Sequence, residues 1–295
     1  MAESSVMSAI QDFTAHTGGI VGVAAKYLET GERIDYNADT VFFTASTLKV
    51  PLLVELYRQV DVGTIDVNQR VDLTDSLRVP GSGVLKELAS GLQPTVHDLV
   101  MLMIIISDNS ATDILYNRVG GNNINNTMRQ LGLTHTHIPM TCRQLLYSIT
   151  GLDVENPEHT YQSASDRLKK REFVLEGDGF SEDKSDVSSP NDMCRLLELI
   201  YDGDILSPQS REAVLDILKR QQLSTVIPHA LPAGTVVAHK TGSYHSVRCD
   251  VGIVFSPTGP YTVALMAKQM TGGDRLSVDA GLAAVSKAVY DEFAG

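Results

Sequence analysis

The sequence predicts an α+β or α/β layer arrangement, in which strands from both ends of the chain form one sheet and the middle of the chain forms a helical part packed on it. Strand-like segments occur near both ends, and helical periodicity dominates between them. No internal repeat is visible, and 295 residues are enough for one large or two small domains. We therefore expect a sheet subdomain from residues 1–40 and 225–295, and a mainly helical subdomain from residues 41–224.

The N-terminal part of the sheet is predicted to follow a first helix. Residues 6–13 show an amphipathic pattern that ends near the glycines at 18–19. A strand at 20–25 follows, with a turn at 30–31 and a short return strand near Ile34. These elements would supply the first two strands of the sheet.

The middle of the chain is predicted to be helical, with one long irregular stretch. Thr95 caps a helix whose apolar body is 99–106, and a further helix at 111–119 ends at two glycines. Residues 138–189 are polar and lack clear periodicity, so an extended loop is expected there. The remaining predicted helices are 193–200, 211–218 and 280–293, and the C-terminal strands are 234–238, 250–255 and 261–266.

Composition and charge restrict the possible partners. A formal net charge of -12 argues against nucleic acid or an anionic membrane surface and leaves a small molecule as the expected partner. The longest apolar run, at 99–106, is too short to span a bilayer. The first residues do not form a secretory signal, so the protein is expected in the cytoplasm unless a leader was removed. Three scattered cysteines suggest small buried residues, with one bridge left possible.

A hydroxyl and an amine stand together at the start of an apolar helix. Ser46 and Lys49 precede Leu52, Leu53 and Leu56, which recur at helical spacing. Side chains three residues apart share one helix face. Burial disfavours the charged ammonium, so Lys49 is a candidate base for the hydroxyl of Ser46.

Two further motifs distinguish Ser46 from a second Ser-x-x-Lys at 181–184, which lies in an acidic segment typical of a solvated loop. Ser-Asp-Asn follows at 107–109, and Lys-Thr-Gly follows at 240–242. Each of these two should occur by chance in about one chain of this length in twenty. The three motifs in this order therefore indicate one shared function.

The ordered motifs resemble those of class A β-lactamases and penicillin-binding serine hydrolases. The similarity extends over 41–56, 95–121, 188–190 and 237–252 and over the closing helix, which leaves out the middle loop. The resemblance implies an antiparallel sheet beside an all-helical part, with the site between them. It also implies hydrolysis through a covalent acyl-serine, with no metal or cofactor.

The same resemblance implies the catalytic roles. Ser46 would attack an acyl carbonyl, and Lys49 would help to remove its proton. Ser107 would pass a proton to the departing nitrogen. The backbone N–H groups of Ser46 and Ser243 would form an oxyanion hole.

The resemblance implies four residues that bind the substrate, and Arg248 is a fifth candidate. Asn109 would hydrogen-bond its amide side chain, while Lys240 and Thr241 would bind its carboxylate. Gly242 would let the substrate lie against the strand. Arg248, eight residues beyond Lys240, is a candidate for bidentate contact with the carboxylate, and an ordinary surface position is the alternative.

Other polar residues of the motifs have simpler interpretations. Asp108 fits a structural helix cap, and Ser107 has the same alternative. His135 and His137 alternate but have no third ligand at a suitable spacing. His239 and His245 flank the third motif and are placed to line a cleft, but a lysine already fills the position of a base.

One family feature is missing. Class A β-lactamases carry Glu-x-x-Leu-Asn between the second and third motifs, and its glutamate activates the water that releases the acyl group. Residues 140–147 stand in its place and contain no acid. Glu155 and Glu158 are the nearest substitutes, although solvated loop acids are the simpler interpretation. Fast acylation with slow release is therefore expected.

The expected substrate is a β-lactam. A D-alanyl peptide or a simple ester is the alternative, favoured by the missing glutamate. A third possibility, of another class, is a non-catalytic binder that traps acylating ligands as a sensor would.

Overall fold

The computed structural model describes residues 4–203 and 205–294. Its strands are β1 (Ile20–Tyr27), β2 (Arg33–Tyr36), β3 (Phe42–Phe43), β4 (Val187–Ser188), β5 (Val236–Tyr244), β6 (Val247–Ser256) and β7 (Gly259–Lys268). Its helices are α1 (Ser5–Thr17), α2 (Lys49–Asp61), α3 (Val96–Ile105), α4 (Asn109–Val119), α5 (Gly121–Gln130), α6 (Cys142–Ile149), α7 (Tyr161–Lys170), α8 (Pro190–Asp202), α9 (Pro208–Lys219) and α10 (Arg275–Ala294). Short 3-10 helices cover Ala45–Leu48, Asp75–Leu77, Leu85–Glu87 and Asp178–Phe180.

The main sheet joins the two ends of the chain. Its strand order is β2-β1-β7-β6-β5, and every neighbouring pair is antiparallel. Strand β1 pairs with β7 along its whole length, from Ile20 opposite Lys268 to Tyr27 opposite Tyr261. Strands β3 and β4 form a separate pair. The predicted α+β class and the antiparallel sheet from both termini are confirmed.

Both faces of this sheet are buried. In β7, Val263 and Leu265 belong to a core that includes residues of α1 and α10, while Ala264 and Met266 belong to the core on the helical side. Successive side chains of a strand point to opposite faces, so one strand serves both cores. This explains why the central strands are almost continuously apolar rather than alternating.

Helix α2 lies in the centre of the helical core. Its first nine residues, 49–57, are all buried, as expected for a helix that is packed on every side. The 3-10 turn Ala45–Leu48 precedes it and packs against β5. The sheet edge and the start of the central helix therefore meet where the first and third motifs lie.

The expectation of an extended loop at 138–189 is wrong, because this segment contains α6 and α7. Thr141 and Gln144 form a reciprocal capping box at the start of α6, and Thr160 caps α7. In α7 only Ala164 is buried, so the helix shows no apolar stripe that periodicity would detect. Helix α5 was also missed.

Among the other elements, the predicted boundaries differ most at two places. Strand β5 continues to Tyr244 instead of ending at residue 238, and α10 begins at Arg275 instead of residue 280. The three cysteines are free and buried, so the expected small buried residues are confirmed. The subdomain boundaries stay a prediction.

Two predictions concern the membrane and the first residues. Within 4–203 and 205–294, no helix has the length and apolarity needed to cross a bilayer. The prediction about a secretory signal includes residues 1–3, which lie outside the described part.

Candidate active site

A strained turn presents Ser46. Lys49 N–H donates to the carbonyl of Ser46, which places the two residues one turn apart, and side chains at this spacing are nearly eclipsed in a 3-10 helix. Ala45 has a positive φ of 45°, a left-handed conformation that is unfavourable for a side-chain-bearing residue. Thr44 holds the turn, since its N–H and Oγ1 both contact the carbonyl of Asp186, at 2.9 and 3.1 Å.

The amine of Lys49 joins the first motif to the second. Its Nζ lies 2.8 Å from the carbonyl oxygen of Ser107, 2.9 Å from Ser107 Oγ and 3.0 Å from Asn109 Oδ1. The side chain is fully buried, and this burial lowers the pKa of Lys49 below its usual value. A neutral amine can accept a proton, and the hydroxyl of Ser107 can donate one to it.

The second motif also holds a loop in place. Asp108 Oδ1 accepts from Ala111 N–H, while Oδ2 accepts from Val84 N–H at 2.6 Å and Leu85 N–H at 2.8 Å. Asn109 Nδ2 donates to Pro80 O at 3.0 Å. The interpretation of Asp108 as a structural cap is therefore confirmed, and the motif ties residues 80–85 to the start of α4.

The third motif lies within β5, at the edge of the sheet, where half of the backbone N–H groups of a strand face away from their neighbour. A Cβ atom added to Gly242 would lie 2.7 Å from Thr44 O and 2.8 Å from Ser46 N. The glycine thus lets β5 approach the backbone of the turn that carries Ser46, and its expected role of making room for a substrate stays a prediction.

Lys240 is a second buried amine. Its Nζ donates to Thr241 O at 2.8 Å, and the side chain is fully buried. Burial lowers the pKa of Lys240 well below its usual value, and the nearby charge of Lys49 acts in the same direction. The charges of Lys49 and Lys240 therefore repel, which disfavours protonation of both amines at once.

A cleft of about 460 Å³ brings residues of all three parts of the chain together. Ser46, Asn109 and Ser243 line it. The other lining residues are Ala45, Leu48, Gly81, Ser82, Cys142, Leu145, Leu146, Ile149, Leu168, Phe173, Tyr244, His245 and Arg275. None of these described residues is an aspartate or a glutamate. The adjoining cavity, which shares Ser243, His245 and Arg275 with the cleft, includes Asp274 and Asp279.

The carboxylates near the cleft have structural roles. Asp113 accepts the N–H groups of Cys142 and Arg143 at 2.7 and 2.9 Å, and burial raises its pKa to about 6. Asp186 accepts Met140 N–H at 2.9 Å, and burial raises its pKa well above the usual value. Both acids hold the backbone that leads into α6.

The two loop acids considered as substitutes for the missing glutamate lie outside the cleft. Glu155 and Glu158 are exposed, and the backbone N–H of each donates to the side chain two residues before it. Neither glutamate lines the cleft. The interpretation as solvated loop acids fits this placement.

The structure contradicts the expectation that Arg248 makes a bidentate contact with a substrate. Arg248 is only 4% exposed, and its guanidinium already binds Asp279 through Nε at 2.5 Å and through a terminal nitrogen at 3.1 Å. Another terminal nitrogen donates to Gly242 O at 3.3 Å. Arg248 therefore supports β5 from behind, and the alternative of a surface position is also wrong. The exposed guanidinium that lines the cleft is Arg275.

We expect this buried ion pair to dominate the stability of the sheet edge. Replacing Asp279 with alanine leaves the charge of Arg248 buried without its partner, and such losses cost about 3–5 kcal/mol. The matched control is Asp216→Ala, which removes the partner of Arg220 in an exposed pair 2.8 Å apart and should cost less than about 1 kcal/mol. Urea denaturation measures both, and equal effects would contradict the assignment.

Four histidines were considered as cleft residues or metal ligands, and the structure places one of them, His245, in the cleft. His239 does not line the cleft, because its Nδ1 lies 2.8 Å from Asp250 Oδ1 and the side chain is 2% exposed. His245 does line the cleft. His135 and His137 lie beside α8 and β4, away from it. No cluster of three or more potential metal ligands occurs in the part of the chain that the structure describes.

Sequence reasoning missed the apolar side of the cleft, contributed by α6, α7 and the segment after them. One signal was present: the Thr-x-x-Gln cap at 141–144 is followed by apolar residues at 145, 146 and 149, the spacing of a helix face. That a helix lies there could have been predicted, but its position against Ser46 could not.

Comparison with known proteins identifies the family. The model of the β-lactamase enzyme family matches residues 5–293. The β-lactamase of Mycobacterium tuberculosis is 26% identical over 86% of this chain and 74% of its own length. The β-lactamase regulatory protein BlaB of Streptomyces cacaoi is 23% identical over 94% of both proteins.

Solved structures give the same answer. A β-lactamase from Sphaerobacter thermophilus superposes with a TM-score of 0.81 at 28% identity, covering 99% of this chain and 98% of that one. A variant of PBP-A, solved as an acyl-enzyme complex with penicillin G, superposes with a TM-score of 0.79 at 27% identity, covering 98% of this chain and 96% of that one. The protein is a serine hydrolase of the β-lactamase type, and the chain belongs to the β-lactamase enzyme family.

Proposed function

We propose that the protein opens a β-lactam or a related amide through an acyl-enzyme on Ser46. The observation that carries the proposal is the buried amine of Lys49, 2.9 Å from Ser107 Oγ, beneath a cleft that Ser46 and Ser243 share. A desolvated amine beside a hydroxyl suits proton transfer during acyl transfer.

The proton would move along this cluster. Lys49 takes the proton of Ser46 as its Oγ attacks the carbonyl carbon, and Ser107, in contact with Lys49, returns a proton to the departing nitrogen. The N–H groups of Ser46 and Ser243 bind the oxyanion. The approach of β5 to the Ser46 turn at Gly242 supports this pairing, because it brings the two N–H groups to one cleft.

Binding of the substrate would use the sheet side and the α4 side of the cleft. Asn109 contacts the amide. Binding of a carboxylate by Lys240 and Thr241 stays a prediction, since both side chains are buried and neither lines the cleft. Since Arg248 is bound to Asp279, Arg275 is the guanidinium placed to meet a carboxylate at the surface. The same arrangement would also accept a D-alanyl peptide or an ester.

Release of the acyl group would be slow. Hydrolysis needs a base for the attacking water, and none of the described residues lining the cleft is a carboxylate. This observation favours the second candidate function, a penicillin-binding protein that acylates readily and turns over poorly.

We expect a chromogenic β-lactam to give a burst of about one product per enzyme, followed by a much slower steady rate. The reason is that acylation has its base in Lys49, whereas deacylation has none in the cleft. Stopped-flow absorbance, with enzyme concentration set by active-site titration, measures the burst. Steady turnover without a burst would refute slow release, and no product at all would refute acylation.

A further inference from the structure

Asp186 is a buried acid that joins two parts of the site. Its carbonyl oxygen accepts both donors of Thr44, at 2.9 and 3.1 Å, and its Oδ1 accepts Met140 N–H at 2.9 Å. It thereby holds the turn that presents Ser46 and the backbone that enters α6. We propose that Asp186 is a positioning residue that works uncharged, with a proton on its carboxyl at neutral pH, and that its ionisation weakens the hold on both segments. The part of the inference that concerns acylation rests on the proposed function.

The surroundings of the carboxyl favour its neutral form. Asp186 is 1% exposed, and its Oδ2 is buried and accepts no hydrogen bond from any described residue. An ionised carboxylate has only acceptor atoms, so it needs donors or a cation at both oxygens when it is removed from water. A protonated carboxyl still accepts the N–H of Met140 through Oδ1 and leaves no charge in the interior.

The ionisable side chains around Asp186 offer it no positive charge. They are Asp113 and Tyr116 on α4, Cys142 on α6 and Tyr244 on β5. Each of them is neutral or negative. Burial raises the pKa of Asp186 well above its usual value, and the nearby charge of Asp113 acts in the same direction.

A comparison of the two buried acids shows which of them keeps the proton. Asp113 has a donor at each oxygen, since Oδ1 accepts Cys142 N–H at 2.7 Å and Oδ2 accepts Arg143 N–H at 2.9 Å. The positive charge of Lys49 also favours the ionised form of Asp113. Asp186 has one donor to its carboxyl. The charge of the pair therefore belongs on Asp113 and the proton on Asp186.

The hold that Asp186 provides can open locally. Strands β3 and β4 pair through only two residues each, and so short a pair opens at a small cost in free energy. In an opened state the carboxyl is hydrated, and its pKa returns towards the usual 3.8. The closed state binds the proton more tightly, so its stability is complete below this value and falls as the pH rises towards the pKa of the folded protein.

The first test compares the pH dependence of unfolding in the whole protein and two variants. Asp186→Asn keeps an acceptor for Met140 N–H and cannot ionise. Urea denaturation from about pH 4 to about pH 8 should show the unfolding constant of the unaltered protein rising relative to that of Asp186→Asn, by up to about tenfold per pH unit. The matched control is Asp183→Asn, an exposed aspartate of the same segment, for which this ratio should stay constant.

The second test uses the unaltered protein and does not depend on how a variant folds. Amide hydrogen exchange, corrected for its intrinsic pH dependence, should show the protection of Thr44 and Met140 falling as the pH rises. Ala24 is the reference, because β1 pairs on both sides at this residue. Its protection should fall less than that of the other two amides.

The third test asks whether the hold positions the site. Asp186→Leu fills a similar space but offers no acceptor to Met140 N–H, and it should slow acylation by penicillin G about tenfold or more at about pH 6. Asp186→Asn restores the acceptor and should restore the rate constant to within about twofold. Stopped flow and intact mass spectrometry measure both.

The outcomes separate the inference from the function. A ratio of unfolding constants that stays flat or falls with pH for Asp186→Asn, or constant protection at Thr44 and Met140, would overturn the uncharged carboxyl. Equal acylation by Asp186→Leu and Asp186→Asn would overturn the positioning role while acyl transfer to Ser46 stands. Absence of acylation in the unaltered protein would overturn the proposed function, and the unfolding and exchange measurements would still decide the charge of Asp186.

Discussion

We expect Ser46→Ala to abolish covalent labelling by penicillin, which is the largest effect predicted for any single substitution. The turn at 45–48 presents this hydroxyl, partly exposed, to the cleft that Asn109 and Ser243 also line. Because the acyl group is transferred to Oγ, its removal leaves no bond to form. Intact mass spectrometry after incubation with penicillin G measures the result as the presence or absence of the added mass.

The chain offers a matched control in its second Ser-x-x-Lys. Ser181→Ala removes the serine of an equivalent motif that lies outside the cleft, and it should leave labelling unchanged. Loss of labelling in Ser181→Ala, or persistence in Ser46→Ala, would show that the nucleophile is wrongly assigned. Circular dichroism of both variants establishes that the fold is retained.

Lys49→Ala should slow acylation by at least about a hundredfold, because it removes the base that accepts the proton of Ser46. Lys49→Met should do the same while filling the space of the buried side chain, so that a cavity is not the cause. The matched control is Lys184→Ala, whose ammonium is exposed in an ion pair with Asp178, 2.9 Å away. An unchanged rate constant in both Lys49 variants would contradict the assignment of the base.

The pH dependence gives a second measurement on the same residue. Burial lowers the pKa of Lys49 in the folded protein, so the free amine becomes available below its usual range. Acylation should therefore rise with pH and level off below about pH 10.5, the ordinary pKa of lysine. This rise should disappear in Lys49→Met, and a rise that persists there would assign it to another group.

Much of the site could be predicted because its reactive side chains belong to short sequence motifs. The motifs predict Ser46, Lys49, Ser107 and Asn109 as site residues. The structure places Lys49 in contact with Ser107 and Asn109 of the second motif. Asp108 was recognised as a cap because a carboxylate before a helix satisfies free N–H groups. These interactions depend on neighbours along the chain or on side-chain type.

Other residues were misjudged because distant packing decides their role. Arg248 was expected to meet a substrate or solvent, but Asp279 of α10 occupies its guanidinium. The predicted role of Gly242, making room for a substrate, stays a prediction, and the structure adds that the glycine makes room for the backbone at Thr44 and Ser46. His239 was expected to line the cleft, but its side chain is buried and its Nδ1 lies 2.8 Å from Asp250 Oδ1.

By itself the sequence determined the α+β class, the order of the motifs and the chemical types that they bring to the site. Only the tertiary structure decided how closely β5 approaches the Ser46 turn, that the guanidinium of Arg248 is bound to Asp279, and that α6 and α7 give the cleft an apolar side. The physical reason is that burial and pairing depend on groups far apart in the chain. Local periodicity predicts that a helix such as α6 exists, but packing decides what it faces.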